Sequence, residues 1–147
     1  MSQIVVLNAG GQYCHLIARR IRELGVHAVV ADIRQPASSF QGARGIIISG
    51  GPASVIQPTS PRVDAAIYDL GLPILGICYG HQLLARDLDG RVSPGVTKEY
   101  GHCSLHHGPS PLFQGLPARN ITVRMCHGDS VVAAPPGFEV IGESGDC

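Results

Sequence analysis

One cysteine in this sequence stands where a thiol could act as a nucleophile. Cys78 lies between Gly76 and Gly80, at the end of the apolar run 73–77 and before a more polar segment. A Gly-x-Cys-x-Gly pattern between a buried strand and a helix has the form of a nucleophile elbow, because flanking glycines let the backbone turn sharply. The first amides of the helix would favour the thiolate, which is the attacking species. The alternative is a buried structural thiol, the common fate of a free cysteine.

A second glycine-rich turn follows another apolar run. Ser49, Gly50, Gly51 and Pro52 come directly after residues 45–48. Alone this is a plain glycine turn, but beside an elbow its bare amides would suit the oxyanion of a tetrahedral intermediate. A cysteine with an oxyanion loop predicts acyl transfer through a covalent thioester. That chemistry also needs a histidine base within hydrogen-bond reach of the sulfur, oriented by an acid.

The elements that must position these residues are predicted from the apolar periodicity. Strands alternate with helices over the first 90 residues, which predicts an α/β fold: a doubly wound, mostly parallel sheet with helices on both faces. The later part predicts only short strands. The predicted strands are 4–7, 26–31, 45–49, 73–77, 92–105, 121–125, 130–132 and 138–141, and the helices include one around Ile17–Leu24 and one over 62–70.

Length and charge restrict the function classes. A chain of 147 residues predicts one globular domain, and its eleven basic and eleven acidic residues favour neither nucleic acid nor a membrane as partner. The N-terminus has no signal-peptide pattern, and no apolar run approaches the roughly 20 residues of a membrane span. We therefore expect a soluble, cytoplasmic protein. The five cysteines are widely spaced, which favours reduced thiols over a disulfide framework.

Several motifs together resemble a known family. GICYGHQ, ISGGP and MCHGDSV are similar to the class I (triad-type) glutamine amidotransferases. More narrowly, GQYCHLIARRIRELGVHA, KEYGHCSL and PPGFEVIGES resemble the glutaminase domain of glutamine-hydrolysing GMP synthases. The similarity runs over essentially all 147 residues and implies the flavodoxin-like architecture of that family.

The resemblance implies a role for five residues. Cys78 matches the nucleophile, and Gly51 and Tyr79 match the positions whose backbone amides form the oxyanion hole. Gln82 matches a side chain that contacts the glutamine substrate. Asp129 resembles a residue that binds the α-amino group of glutamine, although it could equally be a turn aspartate.

At the level of the whole protein, the resemblance implies the glutaminase half of a synthetase. L-glutamine would be hydrolysed through a cysteine thioester, and the ammonia would serve the ATP-dependent amination of XMP to GMP. ATP and Mg would bind in an ATP pyrophosphatase domain outside residues 1–147, and this domain itself would hold no cofactor. The parent protein would be a homodimer.

The family's catalytic histidine and glutamate lie in a Gly-x-Gln-Phe-His-Pro-Glu stretch, and this sequence does not contain it. Residues 1–147 are therefore predicted to be an amidotransferase domain that is incomplete at its C-terminus, with negligible turnover alone. Two alternatives remain: an inactive glutamine-binding or regulatory module, or the amidotransferase domain of a related synthetase.

The histidines present do not replace the missing base. His102, His106 and His107 form a cluster, but their spacing predicts a strand and its turn, so no metal site is predicted. His81 should point away from the attacking face of the elbow, and His127 belongs to the substrate-binding motif. Cys126 stands where the family commonly has a serine.

Overall fold

The computed structural model describes residues 3–117, 119–145 and 147, except for the side chains of residues 96–99. Lys98 and Glu99 of the KEYG motif therefore lie outside the described side chains. The regular elements are β1 (Gln3–Asn8), α1 (Cys14–Glu23), β2 (Ala28–Asp32), β3 (Ala43–Ile48), β4 (Ile74–Gly76), α2 (Tyr79–Asp87), β5 (Arg91–His107), β6 (Asn120–Ala133) and β7 (Gly142–Glu143). Short 3-10 helices lie at Ala37–Phe40, Ala65–Asp69 and Pro111–Phe113.

The first four strands form a parallel sheet in the order β2-β1-β3-β4. Side chains alternate between its faces: Val5 and Leu7 of β1 enter one core, and Val6 enters the other. Helix α1 covers the Val6 face through Ala18, while α2 covers the opposite face through Leu83. This confirms the predicted doubly wound α/β fold. No helix in the described part of the chain is long and apolar enough to cross a membrane.

The later strands form a separate antiparallel sheet in the order β6-β5-β7. The two short strands predicted at 121–125 and 130–132 are one strand, β6. The register of the ladder shifts between Pro94 and Glu99, so the extra residues lie on β5 and β6 runs on without a break. The strand predicted at 138–141 is wrong, since the ladder is instead made by β7. A turn in which the Phe138 amide donates to the Pro135 carbonyl at 3.1 Å redirects the chain just before it.

The helix predicted over 62–70 is also wrong, since this segment forms only the 3-10 helix Ala65–Asp69. The carboxylate of Asp64 accepts hydrogen bonds from the amide of Ala66 at 3.1 Å and from the amide of Ala37 at 2.9 Å. The second bond ties the segment to the preceding 3-10 helix and keeps Asp64 in an extended conformation. Gly71, at φ 66°, ends the segment soon afterwards.

The fold brings three loops together at the carboxyl ends of the parallel strands, where α/β sheets place their functional groups. The amide of Ser49 donates to the carbonyl of Leu7 at 3.0 Å, and the amide of Ile77 donates to the carbonyl of Ile48 at 3.0 Å. The loops after β1, β3 and β4 therefore leave the sheet side by side. The last of them carries Cys78.

Candidate active site

Cys78 sits on a strained turn between β4 and α2. Its backbone has φ 52° and ψ −110°, a conformation that a residue with a side chain adopts only when its surroundings impose it. A methyl group on Gly76 would lie 2.5 Å from the carbonyl carbon of Gly80, and one on Gly80 would lie 2.2 Å from the carbonyl oxygen of Ile48. Both glycines of the Gly-x-Cys-x-Gly pattern are therefore required by close backbone contacts, and the elbow expected from the sequence is present.

The Cys78 side chain is half-buried and faces β6 as well as the helix. Its thiol donates to the main-chain carbonyl of Cys126, with a sulfur-to-oxygen distance of 3.4 Å. Burial raises the pKa of the Cys78 thiol, a hydrogen bond from the Tyr79 amide lowers it, and the neighbouring Cys126 raises it further. The net direction is upward. The Tyr79 amide at the start of α2 favours the thiolate as expected, and burial outweighs it.

The glycine loop after β3 lies against the sulfur. A methyl group on Gly50 would come within 3.4 Å of the Cys78 Cβ and 3.9 Å of its sulfur, so Gly50 is the glycine that faces the thiol. A methyl group on Gly51 would instead lie 2.3 Å from the Ala9 carbonyl oxygen, which leaves no room for a side chain there. The structure brings the loop containing Gly51 and the amide of Tyr79 to Cys78, and their role as the oxyanion hole stays a prediction.

Ser49 fixes this loop, and the sequence alone assigned it no such role. Its buried hydroxyl accepts a hydrogen bond from the Ala9 amide at 3.0 Å and donates to the Gly50 carbonyl at 3.0 Å. A methyl group on Gly11 would lie 2.3 Å from that same carbonyl oxygen. The loops after β1 and β3 are thus interlocked, which holds the amides of the glycine loop in fixed positions.

Gln82 and Asp129 meet at the other side of the elbow. The side-chain amide of the buried Gln82 donates to the main-chain carbonyl of Asp129 at 2.8 Å, and Nδ1 of His127 lies 2.9 Å from the same oxygen. The Asp129 carboxylate accepts a hydrogen bond from the hydroxyl of Ser54. Because β6 rises about 3.3 Å per residue, Asp129 lies about 10 Å along the strand from the Cys126 carbonyl that contacts the thiol. The structure thus joins Gln82 and Asp129 to each other, and their contact with a substrate stays a prediction.

Ser54 was missed by sequence analysis. It lies 75 residues before Asp129, so only the folded chain brings the two side chains together. No local pattern marks Ser54, because a serine in a loop between glycine and proline is ordinary turn composition.

The Cys78 sulfur has no hydrogen bond with a histidine ring among the described residues. His81 lines a groove with Leu84 and Val131. The protein atoms crowding its ring lower the pKa of His81, and nearby His127 lowers it further. Neither histidine is placed as a partner of the sulfur.

The clustered histidines of β5 have structural contacts. His107 has ring nitrogens 3.1 Å from the Gly108 carbonyl and 3.0 Å from the Pro117 carbonyl, and its ring centroid lies 4.5 Å from that of Phe113. Nδ1 of His106 contacts the side chain of Asn120. Within the described residues, no three His, Cys, Asp or Glu side chains are grouped to hold a metal ion.

The sequence profile of the family Glutamine amidotransferase class-I matches residues 5–147. This chain belongs to that family. The finding fits a strained cysteine on an elbow beside a glycine loop, and it confirms the resemblance seen in GICYGHQ and ISGGP.

Its relatives include much longer proteins. The GMP synthase [glutamine-hydrolyzing] of Symbiobacterium thermophilum is 50% identical over 143 residues, which cover 95% of this chain and 28% of the relative. The protein of the same name from Enterococcus faecalis is 47% identical over 150 aligned positions, covering all of this chain and 29% of the relative. The chain thus spans less than a third of the length of these curated relatives.

Solved structures show the same fold. A crystal structure from Thermoplasma acidophilum, provisionally described as a GMP synthase subunit, matches with a TM-score of 0.87 at 30% identity, covering 100% of this chain and 75% of that one. A glutamine amidotransferase from Thermotoga maritima matches with a TM-score of 0.72 at 17% identity, covering 99% of this chain and 68% of that one. The match to the Thermotoga maritima structure shows a shared fold only.

Proposed function

We propose that this chain is the glutamine-hydrolysing part of a GMP synthase. Cys78 attacks the side-chain amide carbon of L-glutamine, the amide nitrogen leaves as ammonia, and water releases glutamate from the γ-glutamyl thioester. The observation that carries the proposal is the strained elbow, with the Cys78 sulfur between the Tyr79 amide and the glycine loop. The identity of 50% to a relative named GMP synthase [glutamine-hydrolyzing] supports the choice of acceptor reaction.

The other residues have distinct parts in this proposal. The backbone amides of Gly51 and Tyr79 stabilise the oxyanion of each tetrahedral intermediate. Gln82 and Asp129 bind the substrate, with the Asp129 carboxylate accepting from the α-ammonium group of glutamine. The bond from Ser54 orients that carboxylate and leaves its other lone pairs for the ligand.

A base from outside residues 1–147 completes the reaction. Burial keeps Cys78 as a thiol, so its proton must be removed before the sulfur can attack. The His-Pro-Glu stretch expected in longer family members would supply that base. On this proposal the 147-residue chain by itself binds glutamine but turns it over negligibly, because removal of one member of a catalytic triad costs several orders of magnitude in rate.

ATP and Mg are proposed to bind elsewhere in the parent protein. The described residues of this chain include no metal-binding cluster, and the chain carries no net charge to attract a polyphosphate. Amination of XMP belongs to the proposed synthetase domain of the same parent, itself proposed to be a homodimer, and this domain contributes ammonia.

A chimera tests the assignment. Residues 1–147 replace the aligned region of the Symbiobacterium thermophilum relative, whose remaining sequence then supplies the base and the acceptor site. We expect glutamine-dependent formation of GMP from XMP and ATP, and its loss in Cys78→Ser but not in the matched variant Cys103→Ser. Ammonia-dependent GMP formation should survive Cys78→Ser, because free ammonia bypasses the thiol.

One observation favours an inactive glutamine-binding module as a second candidate. The Cys78 pKa is raised, and the sulfur has no histidine partner among the described residues. A chimera that binds glutamine but yields GMP only with ammonia would support this candidate and overturn the first.

A further inference from the structure

A second cysteine lies beside the nucleophile. The Cys126 carbonyl oxygen is 3.4 Å from the Cys78 sulfur. Since a carbonyl oxygen is about 2.4 Å from its own Cα, the Cys126 Cα lies within about 5.8 Å of that sulfur. The Cys126 side chain is exposed, so a dissolved peroxide can reach its sulfur. The two thiols also interact electrostatically, since Cys126 contributes to the raised pKa of Cys78.

We propose that Cys78 and Cys126 are a redox modification site, in which a peroxide converts the two thiols to a reversible disulfide. The nucleophile is consumed in that bond, so the oxidised chain cannot form a thioester. This goes beyond glutamine hydrolysis and does not depend on it, because the chemistry needs only the two sulfurs and the oxidant.

The oxidation begins at the accessible sulfur. The Cys126 thiolate attacks the O–O bond of the peroxide, forming Cys126 sulfenic acid and releasing an alcohol or, from hydrogen peroxide, water. The Cys78 sulfur then attacks the Cys126 sulfur, an S–S bond forms, the S–O bond breaks, and water leaves with the Cys78 proton. In sum two thiols lose two electrons and two protons to one peroxide. A dithiol reverses the step by thiol–disulfide exchange.

Other cysteines are less suited to resolve the oxidised thiol. Cys14 is buried beneath the glycine loop, where it interacts with Ser49, and burial raises its pKa. Cys103 pairs with Val123 in the β5–β6 ladder, which places it about 10 Å along the sheet from Cys126. The Cys78 sulfur instead contacts the main chain of Cys126 directly, so Cys126 is the partner that the fold offers to Cys78.

The test is a peptide map of the whole chain after peroxide treatment. Trypsin with Asp-N separates the two sites cleanly: Cys78 falls in peptide 69–86 and Cys126 in peptide 125–128, which excludes Cys147. After hydrogen peroxide and alkylation of the remaining thiols, we expect these two peptides to be cross-linked and dithiothreitol to separate them. Cys103→Ser should give the same cross-link in the same yield.

Three comparisons make the result decisive. In Cys126→Ser, the cross-link should be absent and Cys78 should stay largely reduced at the same peroxide dose. In Cys78→Ser, Cys126 should go on to sulfinic acid, which dithiothreitol does not reverse. In urea, the wild-type cross-link should fall to the level of random cysteine pairs. Absence of the cross-link at peroxide doses that oxidise Cys126 in Cys78→Ser, or equal yield in urea, would overturn the proposal. The readout is mass spectrometry without glutamine, so its failure is distinguishable from failure of the glutaminase assignment.

Discussion

The side-chain amide of Gln82 donates a 2.8 Å hydrogen bond to the main-chain carbonyl of Asp129, and this bond joins helix α2 to strand β6 of the antiparallel sheet. Gln82 lies one turn after Cys78 on α2, and Asp129 lies on β6 beside the strand's irregular pairing. The bond therefore fixes the position of the elbow relative to the predicted substrate-binding residue, although the two bonded residues are 47 positions apart in the sequence.

Replacing Gln82 by methionine should destabilise the chain by about 1–3 kcal/mol, because the buried bond is lost at nearly constant side-chain volume. The measurement is the free energy of unfolding in urea. Gln35→Met is the matched control, since Gln35 is exposed and its side chain makes no hydrogen bond among the described residues. Equal stability of the two variants would show that the bond contributes nothing.

Alanine at Gly80 should be far more costly than alanine at an unconstrained glycine. Its methyl group would lie 2.2 Å from the Ile48 carbonyl oxygen, so backbone must move, and we expect a loss of about 3 kcal/mol or more. Gly42→Ala is the control, because nothing lies within 4 Å of its added methyl group. That change should be neutral or stabilising by up to about 1 kcal/mol. Similar unfolding free energies for both variants would contradict the packing described at the elbow.

The elbow was readable from sequence because its requirements are local. Gly76 and Gly80, within one five-residue segment, indicate that the backbone makes close contacts there. The apolar run before them indicates the strand. The contact between Ser54 and Asp129 could not be predicted, because the local sequence around each residue contains no pattern that indicates the other.

The helix over 62–70 failed for a related reason. Pro61 before the segment and Gly71 after it are start and stop signals of a helix. The carboxylate of Asp64 nevertheless accepts from the Ala37 amide of a different segment. A tertiary hydrogen bond overrode the local propensity. The family, by contrast, was recognisable because several motifs occur in a fixed order along one chain.

Alkylation of Cys78 should require higher pH in the folded chain than in the unfolded one. Burial raises the folded pKa, so the iodoacetamide rate at Cys78, followed by mass spectrometry, should rise at higher pH than the rate at the same residue in urea. A folded-state profile that rises at lower pH would contradict the environment described for this thiol.

The same shift makes stability depend on pH. Above the ordinary thiol pKa of about 8.5 the unfolded state loses the proton while the folded state keeps it, so the unfolded state binds fewer protons. The stabilisation is thus complete below that pH and declines as pH rises toward the folded pKa. Cys78→Ala should show a shallower decline of the unfolding free energy above about pH 8.5 than the wild type. Parallel pH profiles would contradict this.

The edge of the parallel sheet should promote self-association. β4 is the last strand in the sheet, Leu75 in it is 42% exposed, and Ile77 just after it is 37% exposed. Open apolar strand edges pair with other chains. Sedimentation should show association that increases with concentration and weakens in Leu75→Lys but not in Leu24→Lys, a change at an exposed site outside the sheet. Sedimentation as a monomer at all concentrations would refute this.

The central claim is that the Cys78 sulfur forms a thioester with glutamine. The direct measurement is mass spectrometry of the chimera, acid-quenched within its first turnovers and digested to release peptide 69–86. We expect a γ-glutamyl adduct on Cys78 that hydroxylamine removes and that is missing from Cys78→Ser. Glutamine-dependent ammonia release without this adduct, or with undiminished rate in Cys78→Ser, would contradict it.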